Sequence, residues 1–285
     1  MTLTAKSTRT LRRHLFRFAA LIILIIIFVY LLAPFYMIVN SSFKTLSELR
    51  NVNFTIIPVA ATLQNFNELF NETVFFTNLL NSLRIASITM VLAIILALPT
   101  AYAMCRFRNK LTRGMVVWIL LSQMIPGIIM VVPIFNVLAT FGLTNTHAGL
   151  IICYAVFSLP FTCWMLRGFI AAVPVELEEA AELDGCSTVG VVVRILIPVI
   201  APGILTGGIF AFITSWNELF FSLSLIRSPA LQTLPVHIQS FMGLAGEARI
   251  GMVAAASFIS SIPGIIVFLV LQNFFIKGLT SGSVK

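Results

Sequence analysis

The chain has 285 residues, 59% of them hydrophobic and only 10% charged, with a mean hydropathy of +1.04. Charges this sparse cannot cover a water-facing surface, which excludes a soluble globular class. The net charge of +8 would suit nucleic acid. The basic residues instead gather at the ends of apolar segments, the positive-inside pattern of a membrane protein, so no nucleic-acid partner is expected.

The apolar segments reach about 20 residues, enough to cross a hydrocarbon core of about 30 Å as helices surrounded by membrane lipid. Residues 1–17, with Lys6, Arg9, Arg12, Arg13 and Arg17, read as a basic cytoplasmic arm. The run that follows, about 18–39, is long enough to span and shows no clear small-residue cleavage site, so it reads as a retained first span and not a signal peptide. From Asn40 to Thr77 the chain is polar, an external loop. Phe66, Leu69 and Phe70 stand there at helical spacing, as in a short helix lying on the membrane surface. Such a loop suits contact with a solute-binding protein or a simply solvated face.

Asn78, Asn81, Ser82 and Arg84 open the second span, about 79–104, and Arg106, Arg108, Lys110 and Arg113 mark a cytoplasmic loop. The third span, about 115–137, carries Gln123, Pro126, Gly127, Pro133 and Asn136. Pro and Gly at membrane depth free backbone groups that protein or a water-filled cavity must satisfy. Gln123 and Asn136 are therefore candidates to line a solute path; the alternative is a kinked helix whose polar groups only bind neighbouring helices. A fourth span follows at about 148–166, and Arg167 returns the chain to the inside.

The stretch 167–196 is a cytoplasmic loop of unusual composition, crowded with Glu176, Glu178, Glu179, Glu182 and Asp184. Pro174 suits the first position of a helix, whose positive end favours the acids that follow. Ala180 and Ala181 are small enough to allow close approach by another surface. Gly185 fits a left-handed helix stop, and Ser187 can cap a second helix running toward the membrane. The fifth span, about 197–223, holds Pro198, Pro202, Gly203, Gly207 and Gly208, which favour close helix packing. It also holds Trp216, Asn217 and Glu218. An ionisable group there is costly unless paired or facing water. Two readings stand: a path-lining group whose indole stacks on a sugar, or a structural hydrogen-bond cluster. Residues 224–249 read as external, 250–275 as a sixth span, and 277–285 as a cytoplasmic tail.

Several of these residues resemble one family. Glu179-Ala180-Ala181, then Gly185, then Ile195 with Ile197-Pro198, resembles the EAA loop of binding-protein-dependent ABC transporter permeases. Asn81-Ser82, the run Ala101 to Phe107, and Trp216-Asn217-Glu218 resemble the same family. Gln272 to Phe275 and Gly278 to Gly282 look like the carboxyl end of its carbohydrate, maltose-like branch. Cys186 and Ile197 stand where Ala and Leu are usual, and Val192 where Phe is common; each swap keeps small or apolar character. The resemblance implies an all-α membrane protein of six transmembrane helices, five forming the shared importer core, with both termini cytoplasmic. It implies ATP-binding cassette subunits, a second permease subunit, an extracytoplasmic solute-binding protein and a carbohydrate substrate as partners. It also implies a coupling role for Glu179, Ala180, Ala181, Asp184, Gly185 and Pro198.

The chemistry absent from the sequence agrees. No GxxxxGK[ST] phosphate cradle occurs, so the chain is expected to be no enzyme and to hold no ATP. Cys153 and Cys163 lie roughly 15 Å apart on one helix, His14, His147 and His237 are scattered, and no CxxC appears. No metal or cofactor is expected. A stand-alone facilitator or ion-coupled carrier, using the acidic loop as a gate, is the competing function; a membrane scaffold recruiting a cytosolic partner is a third.

Overall fold

The computed structural model describes residues 3–51, 55–107, 109–243 and 249–281, with side chains from 16 to 270 within those limits. Arg108 and the last residues, 282–285, lie outside them, as do the side chains of the basic arm before Phe16 and of the tail motif after Val270. The described residues are helical, without a strand. Among the described residues four helices are long and apolar enough to cross a membrane, or up to six if each of two bent pairs makes one span.

Two compact units divide the chain. The first comprises residues 1–71 and 241–259. Its long helix α1 (Leu3–Ser42) shows an apolar face in every direction over Phe16–Ser42; Tyr30 is 78% exposed and Leu24 65%. Lipid takes the place of water around such a surface. Beyond it, α2 (Leu46–Leu49) and α3 (Gln64–Asn71) form a small polar cap. The Glu48 carboxylate accepts from the Thr55 hydroxyl and the Val59 N–H, and the Asn65 amide donates to the carbonyls of Ser42 and Lys44. Helix α3 is the one expected around Phe66, but its apolar side meets protein. Leu69 is fully buried, and Phe66 packs on Phe43 and Phe258 at centroid distances of 5.2 and 6.3 Å.

The second unit, residues 72–240 and 260–285, is built on α4 (Phe75–Arg106), α7 (His147–Ala171) and α11 (Ala201–Trp216). Ala86, Ala93, Ala97 and Ala101 recur at helical spacing down α4 and are all fully buried, which brings backbones close. Gly203, Gly207 and Gly208 do the same for α11. A Cβ on Gly203 would run into the Phe169 ring, and one on Gly208 would come within 2.9 Å of Ile94. One core cluster joins Ala97, Ala101, Ile119, Cys163, Leu166, Ile170, Leu196 and Ile200.

Two expected spans are broken. The third is α5 (Lys110–Ser122) and then a turn of tighter helix, Gly127–Met130, leading into α6 (Val131–Thr140), bent by 99°. Pro126 sits extended at the break, and a proline disfavours helical geometry in the residue before it. The fifth runs through α9 (Thr188–Val191), a five-residue π turn (Val192–Leu196) and α10 (Ile197–Val199), bends 80° at Ile200, and continues as α11. Pro202 cannot donate to the carbonyl of Pro198, so the regular ladder is interrupted there. Helix α11 ends at Trp216, short of the expected 223, and a separate α12 (Phe220–Leu225) follows. The remaining elements are a 3-10 turn at Pro229–Leu231, α13 (Leu234–Ser240) and α14 (Ile250–Ser281).

Polar groups secure the loop after α12. Asn145, at φ +55°, accepts the N–H groups of Arg227 and Ser228 at 3.0 Å. Asn81 donates to the carbonyls of Ala230 and Gln232, and the Ser82 hydroxyl accepts the N–H of Leu234. Asn78, Asn81 and Ser82 lie in the first turns of α4, where they are buried.

Candidate functional site: the acidic elbow and the broken helices

The acidic stretch folds as α8 (Val175–Leu183), a corner, and α9. Pro174 precedes the helix instead of opening it: its ψ of 135° is extended. The corner is closed by a Schellman arrangement, with the Cys186 N–H donating to the Ala181 carbonyl and the Gly185 N–H to that of Glu182, both at 3.0 Å. Gly185 has φ +88°, the left-handed geometry expected of it. The Ser187 hydroxyl caps α9 by accepting the Gly190 N–H at 3.2 Å.

Around this corner Glu179, Ala180, Asp184 and Gly185 are exposed together and Ala181 is buried, while Leu183 stands 89% exposed at the tip. Pro198 is also exposed but sits beyond the π turn, on α10. One acid differs. Glu178 is 5% exposed, and its side chain points back into the protein. There Arg106, the last residue of α4, donates to it through Nε at 2.9 Å and Nη2 at 2.5 Å. The same Nη2 reaches the carbonyls of Ile170 and Val173 at 3.2 and 3.1 Å, where α7 ends with orphan acceptors. Tyr102, one turn earlier on α4, donates to the other carboxylate oxygen at 3.0 Å. A cavity of about 860 Å³ opens beside this cluster, lined by Tyr102, Arg106, Arg167, Glu176, Glu179 and Glu182 among others. The sequence reading counted Arg106 as a boundary charge and Glu178 as one acid among several. The available signal was Tyr102 and Arg106 at i and i+4, both facing one way at a helix end.

The path candidates do not gather into one site. Gln123 ends α5 at the 99° break and lines a cavity of about 890 Å³ with Lys110, Trp118, Phe157 and Pro160. Asn136 is exposed on α6. Trp216, Asn217 and Glu218 are consecutive but serve different neighbours. Trp216 is 5% exposed, stacks on Phe212 at 5.9 Å and donates to the Ser260 carbonyl at 3.3 Å, so its ring presents no free face. Asn217 finishes α11, donating to the Ile213 carbonyl at 2.9 Å. Glu218 accepts from the Tyr154 hydroxyl at 2.8 Å and from the N–H groups of Phe221 and Ser222, tying α12 to α7. It also borders a cavity of about 260 Å³ lined by Gly127, Ser158, Thr214 and Phe221. Phe157 lines this cavity and the larger one beside Gln123.

Membrane-length helices and two sharply bent apolar helix pairs make this a multi-pass membrane protein, and comparison with known proteins gives its family. The family model described as binding-protein-dependent transport system inner membrane component matches residues 89–280. The diacetylchitobiose uptake system permease protein DasC of Streptomyces coelicolor is 35% identical over 261 residues, covering 92% of this chain and 94% of DasC. The trehalose transport system permease protein SugB of Mycobacterium tuberculosis is 36% identical over 257 residues, covering 90% of this chain and 93% of SugB. A solved bacterial ABC transporter involved in the import of alginate superposes with a TM-score of 0.80 at 21% identity, covering 92% and 97% of the two chains, a likeness of fold. The chain belongs to the binding-protein-dependent transport system inner membrane component family.

Proposed function

We propose that this chain is a permease subunit of an ATP-driven importer that moves a carbohydrate, an oligosaccharide, disaccharide or polyol, across the cytoplasmic membrane. Its similarity to uptake permeases for diacetylchitobiose and trehalose supports that cargo class. The observation that carries the mechanism is the elbow: a short rigid helix, closed at a left-handed glycine, with acids and small residues turned outward. In this reading a pair of ATP-binding cassette subunits grips Glu179, Ala180, Ala181, Asp184 and Gly185, with Pro198 setting the exit toward α11. Those subunits hydrolyse the ATP. Their closure drives the membrane helices from an inward-open to an outward-open arrangement. A solute-binding protein then delivers sugar into a cavity shared with a second permease subunit, where Gln123, Asn136 and Glu218 are the polar contacts. Trp216, buried, braces that wall from behind, while Asn217, exposed at the end of α11, joins those polar contacts.

The same reading sets the layout: a basic arm over 1–17, a transmembrane domain over 18–276 with its coupling loop at 167–196, and a tail over 277–285. Both termini and the elbow lie in the cytoplasm, following the Lys and Arg distribution. Reconstitution of the complex in liposomes tests the proposal. ATP inside the lumen, on the side of the elbow, should be required for removal of labelled disaccharide from a loaded binding protein outside. Uptake driven by an ion gradient without the ATPase subunits would establish the carrier alternative instead.

A further inference from the structure

Arg106 and Glu178 are both largely buried, with side chains 13% and 7% exposed, in a stretch whose other acids face outward. Desolvating an ion pair is costly, and a buried pair adds little stability over an apolar replacement. A planar guanidinium, however, fixes direction as well as charge, because its donors form a rigid fork. Here the fork meets three elements at once: its own helix α4, the carbonyl end of α7 and the first turn of α8. Tyr102 holds the second carboxylate oxygen, so α8 is gripped by two residues on one face of α4. On its other side α8 leads through the Gly185 corner and the π turn at Val192–Leu196 to the 80° bend at Ile200, and Leu196 and Ile200 are buried in the same core as Ala97, Leu166 and Ile170. The ion pair ties the first helix of the elbow directly to α4 and α7, ahead of that longer covalent route.

We propose that Arg106 and Glu178, backed by Tyr102, form a positioning pair that fastens the elbow to α4 and α7, so that these three elements move as one body. The inference rests on the transport reading above and names the direction in which the elbow's displacement travels. Arg106 touches no solute in this account; it acts through α8.

The test uses the complete complex in liposomes, measuring ATP hydrolysis and solute uptake together, with Arg106→Gln, Glu178→Gln, the double variant, Arg106→Lys and Tyr102→Phe. Uptake per ATP should fall about tenfold in either Gln variant, inside the range usual for coupling between sites. The double variant should be no worse than either single one, because the pair acts as a unit. Lys should restore little, since it keeps the charge and loses the fork, and Tyr102→Phe should give a smaller loss in the same ratio. Spin labels at Ala180 and Ile95 of α4, and at Ala180 and Val156 of α7, should each keep their separation through the ATP cycle. Unchanged uptake per ATP in the Gln variants would overturn the proposal, as would a changing Ala180–Ile95 or Ala180–Val156 separation. Should the Gln variants fail to assemble, Tyr102→Phe and the wild-type label pairs decide. A wild-type complex without ATP-driven uptake would remove the transport reading itself, and the label separations would still report on the clamp.

Discussion

A Cβ on Gly203 would overlap the Phe169 ring, whereas one on Gly185 would meet open space but inherit a left-handed backbone. The two glycines should fail differently. Gly203→Ala overpacks the contact between α7 and α11, at about 1–3 kcal/mol, and should lower the thermal unfolding midpoint of the purified chain. Gly185→Ala costs roughly 1–2 kcal/mol in one corner. It should speed hydrogen exchange at the Cys186 amide while leaving α4 and α7 protected. Trp216 offers a third case: Trp216→Phe loses one hydrogen bond to Ser260, about 0.5–1.5 kcal/mol, while Trp216→Ala opens a cavity costing about 3–5 kcal/mol. Thermal unfolding of the two variants should separate by that margin. Gly185 was readable beforehand because a helix stop is written locally, in the acids before it and the serine after. The burial of Trp216 was not: Phe212 is a local neighbour one turn earlier on α11, but Ser260 reaches the indole only after the chain has folded back.

Elements show the same division between local and distant causes. Pro126 and Gly127 marked trouble in the third apolar run. A run of apolar residues carries no sign of how sharply it bends, and the 99° and 80° turns arise where missing N–H groups meet packing from α4 and α7. The elbow's helices and caps were legible; its attachment to α4 was not, since Arg106 and Glu178 are far apart in sequence. In the polar cap after α1, the Thr55 hydrogen bond holds the Glu48 carboxyl below its ordinary value of 4.5, against partial desolvation, with help from the Val59 N–H and Lys44. A carboxyl with a lowered value stabilises the fold fully above 4.5 and loses that contribution as pH falls through the lowered value. The Val59 amide should therefore exchange at constant intrinsic protection from neutrality down to that range and open only in stronger acid. Glu48→Gln should remove this response.

At the scale of the whole molecule, the apolar exteriors of α1 and α4 require a lipid surround. Cys186 supplies a probe of sidedness on the elbow once Cys105, the other partly exposed thiol, is replaced by Ser, because Cys153 and Cys163 are buried. An impermeant maleimide should reach Cys186 in inverted vesicles and fail to reach it in right-side-out ones; the opposite pattern would place the elbow outside the cell. The π turn between elbow and α11 has a consequence of its own. Such a turn absorbs one residue more than an α-helical path would while keeping the flanking turns nearly in phase, so deleting Val193 should let the helix close regularly with the elbow's direction little changed, whereas a second inserted residue would rotate what precedes it by about 100°. Loss of one residue within 192–196 should therefore be tolerated better than gain of one, which would aim the acids at the wrong neighbour, provided an apolar side chain still fills the buried place of Leu196. Along this segment the gene has one codon to spare and no room for another.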